Sequence, residues 1–404
     1  MKKRIFAVLL AAALAVSAFT ACSKKGTDNS APSLPQAPSS SVPEVPPEPP
    51  YTPNPYTGFE KDATFPEGTR ATAIMVNNIA ACRPQRGLSM ANILFESKVE
   101  GGITRFMALF EDYKNLPDVG PVRSARDQFF RLAVPYRPLY IHVGRSGITQ
   151  TYMDQVGYDD MDLNGDSRPI TYWDQNRRNQ GYAQEHTAYT NGEMIQKAID
   201  KYDYDMNRTY GAPFFTFARY DENNGVRPMN GEDAVKVSIK HSDSYRTYFD
   251  YNDAGRYMMS QYSSSKGARH KTVDENNGEQ LGFENVFVLF ADITTYPYPG
   301  GNLDKNGNDK GDPNYQKVDM DFGGVGYYFS QGKMEKIRWF KGPTESKLHF
   351  TDWDENDLIV NCGKSYIGIV DLDEHDLGFS YTGPEGTIEE TAPTSTGGTE
   401  ADAG

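Results

Sequence analysis

The balance of apolar and polar positions changes several times along this chain. Residues 5–18 are almost unbroken apolar sequence behind the basic Met1-Lys2-Lys3-Arg4. No later apolar run approaches the roughly 20 residues that a membrane-crossing helix needs. Residues 22–60 are dominated by proline, serine and glutamate, with Pro46-Pro47-Glu48-Pro49-Pro50 the densest part. Such a stretch has little to bury and favours extended polyproline II, which predicts a stiff tether. At about 3 Å per residue, its proline-rich part would hold the folded body several nanometres from the N-terminus. Apolar segments return over 61–378. Residues 379–404 are again of low complexity, rich in Thr, Glu, Gly and Ala, and predict a disordered tail.

Within 61–378 the rhythm changes near residue 211. In the first part, short apolar segments at 71–76, 93–96, 104–110 and 139–143 read as strands, with Gly101-Gly102 the break before the third. Helices are predicted at 124–134, 147–156 and 191–201. Strands interleaved with helices predict an α/β-like layered domain over 61–210. From 211 to 378 the β-like segments are 235–239, 247–251, 286–290, 326–330, 336–340 and 366–370, separated by Gly-, Asn- and Asp-rich turns. That spacing predicts a mostly β domain built from hairpins, with 298–313 an exposed polar insertion. The fold class expected is α+β, an N-terminal α/β-like layered domain followed by a mostly β C-terminal domain.

Charge and cysteine content narrow the partners. The chain has 41 basic and 55 acidic side chains, and three of the basic ones fall in residues 1–21. Nucleic acid is not expected, because a phosphate backbone needs a basic footprint. The same balance denies a broad electrostatic grip on anionic lipid, so membrane attachment has to come through acyl chains. Phe19-Thr20-Ala21-Cys22, behind the basic start and apolar run, resembles the processing box of a bacterial lipoprotein signal. That resemblance implies a signal peptide over 1–21, acylation of Cys22 and a lipid anchor on the outer face of the cytoplasmic membrane. Only Cys82 and Cys362 remain. Two cysteines exclude a disulfide scaffold and leave open a single bridge or two thiols. Neither has a neighbouring histidine or a C-x-x-C partner, so neither reads as a nucleophile.

The sharpest local pattern is Gly120-Pro121-Val122-Arg123-Ser124-Ala125-Arg126-Asp127. Ser124 and Asp127 have the spacing of a capping box, which predicts a helix from Ala125. Arg123 and Arg126 flank that start, where free N–H groups and the helix dipole favour an anion. Their guanidinium forks suit a carboxylate or phosphate. The simpler alternative pairs both arginines with the protein's own Glu96 and Glu100. His142 ends a predicted strand and His186 precedes the helix at 191. With Arg123 and a glutamate they would form a polar acid–base cleft. Asp160, Asp162, Asn164 and Asp166 match the opening of a D-x-D-x-N-G calcium loop. The twelfth position is Thr171 instead of glutamate, and an Asp/Asn/Gly turn is the simpler reading. No cofactor is expected, and calcium at 160–166 is the one that the spacing admits. Trp173, Trp339 and Trp353 read as core anchors.

Several of these segments together resemble the DUF3048 family, YerB-like Gram-positive lipoproteins of unknown function. The resemblance is carried by Ala73-Ile74-Met75-Val76-Asn77-Asn78, Arg83-Pro84-Gln85-Arg86-Gly87-Leu88, Val99-Glu100-Gly101-Gly102-Ile103-Thr104-Arg105-Phe106 and the Gly120 to Arg126 motif. It implies a two-part body and lipoprotein status, and it concentrates attention on Arg83, Glu100, Arg105, Arg123 and Arg126. It brings no reaction. The expected function is a lipid-anchored envelope protein that binds an anionic wall peptide, glycan or protein through Arg83, Arg105, Arg123, Ser124 and Arg126. The alternatives are a cell-wall hydrolase or transferase using His142 or His186 with Glu96 or Glu100, and a non-catalytic envelope scaffold.

Overall fold

Segments such as 73–76 and 286–291 are apolar at consecutive positions, so a strand made from them has no face to offer water. The computed structural model buries both faces. It describes residues 51–61, 65–164, 171–207, 213–263, 267–297, 314–375 and 380–382. The leader, Cys22, most of the tether, Asp166, the 298–313 insertion and the tail beyond 382 lie outside the described residues.

The first half contributes β1 (Thr72–Asn77), β2 (Ile93–Lys98), β3 (Thr104–Phe110), α1 (Asp127–Ala133), β4 (Leu139–His142), α2 (Gly147–Val156), β5 (Met161–Asp162), α3 (Gln175–Asn179) and α4 (Gly192–Tyr202). The second half contributes β6 (Glu232–Asp233), β7 (Lys236–Lys240), β8 (Arg246–Tyr251), β9 (Tyr257–Ser263) and β10 (Ala268–Lys271). It continues with β11 (Asn285–Ala291), β12 (Gly324–Ser330), β13 (Lys333–Phe340), β14 (His349–Thr351), β15 (Ser365–Asp371) and β16 (Ser380–Thr382). The architecture is α+β, layered with helices in the first half and β-rich in the second.

Ten of these strands form one mixed sheet in the order β14-β13-β12-β11-β15-β2-β3-β1-β4-β5, with β6 added at β13. Strands β11, β15, β2, β1, β4 and β5 run parallel, while β3 and β12 run against them. The halves of the chain meet inside this sheet, where β2 pairs β15 from Ile93–Ser365 to Ser97–Ile369. A second sheet, in the order β10-β9-β8-β7-β16, comes from the C-terminal half.

Period-two alternation sorts the large sheet's side chains between two cores. Ala73, Met75, Phe95, Met107, Phe287 and Leu289 face one core, with Phe129 and Phe130 of α1 and Met153 of α2. Ile74, Val76, Leu94, Phe106, Val286 and Val288 face the other, with Ile239, Phe249 and Met259 of the second sheet and Ile195 of α4. At about 25 cal/mol per Å² of apolar area, burial on both faces makes the central strands the most stabilising part of the chain.

The 120–126 segment departs from the capping-box expectation. It runs extended between β1 and the residues just after β4. Asn77 N–H donates to Pro121 O at 2.9 Å and Arg123 N–H to Met75 O at 3.0 Å, while Arg123 O accepts Val143 N–H at 3.1 Å. Ala125 N–H donates to Gly144 O at 3.0 Å, so these backbone groups are engaged by neighbours across the sheet. Helix α1 therefore begins at Asp127, with Arg126 as its N-cap and no side-chain cap. By contrast, α4 has Asn191 accepting Met194 N–H as its cap, close to the predicted start. Of the tryptophans, Trp339 is buried, whereas Trp173 and Trp353 are exposed and correct the expectation of three core anchors. Cys82 and Cys362 are both buried thiols.

Gly120 fixes the entry of the wedge. Its φ is +148°, and a Cβ there would lie 2.7 Å from Ala188 O. A Gly120→Ala variant is expected to lose about 1–3 kcal/mol of stability, read as a lower urea midpoint. An unchanged midpoint would contradict the steric argument.

Candidate functional site

The carboxyl ends of parallel strands are where open sheets collect polar chemistry. Here Asn77 ends β1, Glu96 lies near the end of β2, His142 ends β4 and Asp162 ends β5, with Arg105 entering β3 at the same end. The sequence-predicted residues therefore do gather at one end of the large sheet, but alternation divides them between its faces. Glu96 shares the face of Leu94, and its register partner is Phe106, so it points toward the second sheet. His142 shares the face of Tyr140, on the helix side. An acid–base pair of His142 with Glu96 is ruled out by the sheet between them.

On the helix side, Glu100 gathers two arginines. Arg126 grips it with Nε, 2.7 Å from Oε2, and with Nη2 on Oε1. Arg105 Nη2 donates to Oε1 at 2.9 Å and its Nη1 to Ser124 O at 2.6 Å. Burial pushes the Glu100 carboxyl up, but the charges of Arg105 and Arg126 outweigh it and hold the group well below the usual carboxylate range. Burial also lowers Arg105, to about 9, against the pull of Glu100. The simpler sequence alternative thus holds for Arg126 but not for Arg123, and Arg105 takes the second place on Glu100. Ser124 contributes its carbonyl to Arg105.

Arg83 and Arg123 differ. Arg83 has no carboxylate within ion-pair distance among the described residues. It donates to Asn78 O and Tyr262 O, both at 2.9 Å, and packs over the Tyr245 ring. Arg123 is half-buried, its Nε is out of contact with water, and that atom has no hydrogen-bond partner among the described residues. Burial holds the guanidinium below its ordinary value, while Glu185 and Cys82 pull it the other way.

Both histidines are buried and engaged. His142 Nε2 lies 3.0 Å from Asp160 Oδ2, and Nδ1 lies 2.9 Å from Gly144 O. His186 Nδ1 accepts from the Asn77 amide at 3.1 Å. The calcium reading of 160–166 is corrected by Arg145, whose Nη1 lies 2.8 Å from Asp160 Oδ2 and 3.0 Å from Asp162 Oδ2. Asp162 Oδ1 accepts the N–H groups of Gly144 and Asn164. A guanidinium thus holds the carboxylates that a calcium ion would need, and Asp166 lies outside the described residues. Among the described residues no group of three or more His, Cys, Asp or Glu is placed to hold a metal ion.

The sequence reading missed His241 and Tyr366 as members of the Glu96 site. Glu96 Oε1 accepts from the Asn78 amide at 2.9 Å and the Thr104 hydroxyl at 2.8 Å. Oε2 accepts from Thr247 at 2.9 Å and Tyr366 at 2.7 Å, with His241 Nε2 at 3.5 Å. No spacing rule joins residues 150 or 270 positions apart, so only an end-of-strand histidine after 235–239 hinted at this. Burial pushes the Glu96 carboxyl up, but the charge of His241 and the hydrogen bonds from His241, Tyr366 and Thr104 bring it down to about 2.

A carboxyl whose folded value lies below its ordinary 4.5 stabilises the fold fully above 4.5 and loses that contribution as pH falls toward 2. Acid unfolding is therefore expected to steepen through that window. In a Glu96→Gln variant this slope should flatten, and stability at pH 7 should drop by about 3–5 kcal/mol, because His241 stays buried without its partner. Parallel denaturant titrations at pH 7 and pH 3 measure both effects.

Comparison with known proteins agrees with this organisation. Residues 56–205 match the DUF3048 N-terminal domain and residues 235–367 its C-terminal domain, both described as protein of unknown function. A Bacillus subtilis (strain 168) protein named "Putative lipoprotein YerB" is 27% identical over 295 residues, covering 70% of this chain and 77% of that protein. The crystal structure of the YerB protein from Bacillus subtilis matches with a TM-score of 0.63 at 25% identity, over 82% of this chain and 99% of that one. With both domains present in order on one shared sheet, the chain belongs to the DUF3048 family.

Proposed function

We propose that this protein is a lipid-anchored binding protein of the cell envelope that holds an anionic group of a wall peptide, glycan or protein with Arg123. The observation that carries the reading is the state of that guanidinium. Arg105 and Arg126 are both ion-paired to Glu100, and Arg83 is held by carbonyl groups and Asn78. Arg123 keeps a buried Nε with no acceptor among the described residues. Glu185 acts on this cation only through its field, and a partly desolvated guanidinium lacking a hydrogen-bond acceptor at Nε is costly, a cost that an incoming carboxylate or phosphate relieves.

Anchoring rests on the leader and Cys22, and on the printed name of the Bacillus subtilis relative. An excess of 14 acidic charges argues for a specific anion site over a general one, since the protein's own field repels anions elsewhere.

Titration of the protein with muropeptides carrying free carboxylates, and with their amidated forms, tests the proposal. Arg123→Ala is expected to weaken binding of the free-acid forms about tenfold or more, with the melting temperature held or raised. Arg126→Ala should instead lower the melting temperature, because Glu100 loses its bidentate partner. Equal affinity of wild type and Arg123→Ala would reject the assignment.

A further inference from the structure

An opening lies at the other edge of the large sheet, on elements that do not carry Arg123. The hairpin between β12 and β13 closes on Gln331-Gly332, with φ of +53° and +70°, the pattern of a type I′ turn. Ser330 and Lys333 are then the closing hydrogen-bonded pair. Counting in twos from Lys333, residues Glu335, Ile337 and Trp339 turn their backbone groups toward β12. Met334, Lys336 and Arg338 turn theirs outward. Strand β6 takes the Met334 position and β14 takes the Arg338 position. Lys336, between them, has no strand partner on that side among the described residues, which leaves its outward N–H and C=O without a backbone partner there.

A cavity of about 720 Å³ opens at this gap, a volume suited to a few residues of ligand. Five carboxylates line it, against only Arg227 and Lys336. Arg227 is committed to Glu335 through contacts of 3.0 and 2.5 Å. Lys336 lies with Nζ 4.1 Å from the centre of the Trp353 ring. Trp353 nevertheless remains 44% exposed, beside the exposed Asp354. Glu232 accepts the Tyr381 hydroxyl at 3.0 Å and has no cation on it among the described residues.

We propose that this groove docks an extended, lysine- or arginine-bearing segment of a partner protein. The segment's main chain meets the Lys336 edge, as in strand addition. Its basic side chain lies among Glu232, Asp352 and Asp354, whose carboxylates attract a cation, beside the Trp353 indole that Lys336 and Arg338 already cover in part. Anionic ligands are repelled by the same lining. The chain's own residues 383–404 carry no basic side chain, so charge excludes them as the occupant. The inference is independent of the Arg123 assignment, since neither site supplies residues to the other.

Calorimetric titration of the full chain with the blocked peptide acetyl-Val-Lys-Val-Lys-Val-amide tests it. Saturable binding is expected, weakened about tenfold or more in the Glu232→Gln, Asp354→Asn double variant. Neutralising two exposed acids on α4 with Glu193→Gln and Asp200→Asn removes the same charge and should change affinity by no more than about twofold. A peptide N-methylated at its central amide should bind more weakly, since it cannot use the Lys336 carbonyl. Absence of binding, equal losses in the two double variants, or indifference to N-methylation would each overturn the proposal. Equal binding of a glucosamine oligomer of matched charge would overturn it as well, because the groove would then be a glycan site.

Discussion

A carboxylate with no access to water holds the junction on which this fold depends. Glu96 is a β2 residue of the first half, yet two of its acceptor contacts come from Thr247 on β8 and Tyr366 on β15, in the second half. Asn78 and Thr104 fill its other oxygen. An ionised group in such a place is tolerable only when every lone pair is occupied, and here hydroxyls, an amide and His241 do so. The arrangement tolerates little displacement of β8 relative to β2. Pairing of β2 with β15 supplies the backbone half of the same junction.

That junction explains why the two halves behave as one layered body around one sheet. The sheet's outer strands have separate tasks. Its β1–β4 end is split by the 120–126 segment, which carries Arg123 and Arg126 and sets Arg126 beside the buried Arg105 on Glu100. Its β13 edge is interrupted between β6 and β14, and acidic side chains surround the interruption. The two proposed sites thus differ in the charge they would attract, which net acidity alone does not reveal.

Catalysis by the two candidate histidines fits the geometry less well than binding does. Both rings are buried, and the acceptors facing His142 are Asp160 and a backbone carbonyl. A general base has to reach a substrate proton, and these imidazoles are instead engaged in holding the ends of β1 and β4 against their neighbours. Arg145 plays the corresponding part for the acidic turn at 160–162, where a cationic side chain stands in place of a metal.

The sequence by itself determined the strands whose two faces are both apolar, because continuous apolar runs such as 73–76, 106–110 and 286–290 admit no solvent-facing alternative. It also set the α+β order, a helix starting near Asn191 and the choice between a basic and an acidic body. Strands β9, β10, β14 and β16 escaped it, since half-exposed and edge strands mix Ser, Gln, His and Lys with too few apolar positions to show a period. The capping box at Ser124 misled for a related reason: local spacing offered a helix start, but long-range backbone hydrogen bonds with Met75, Asn77, Val143 and Gly144 claimed the segment first. Only the tertiary structure decided which arginines are ion-paired and that Glu96 meets His241 and Tyr366. It also decided that Glu96 and His142 face opposite ways. Those outcomes depend on which strands become neighbours, and strand pairing across hundreds of residues leaves no local trace for a periodicity to carry.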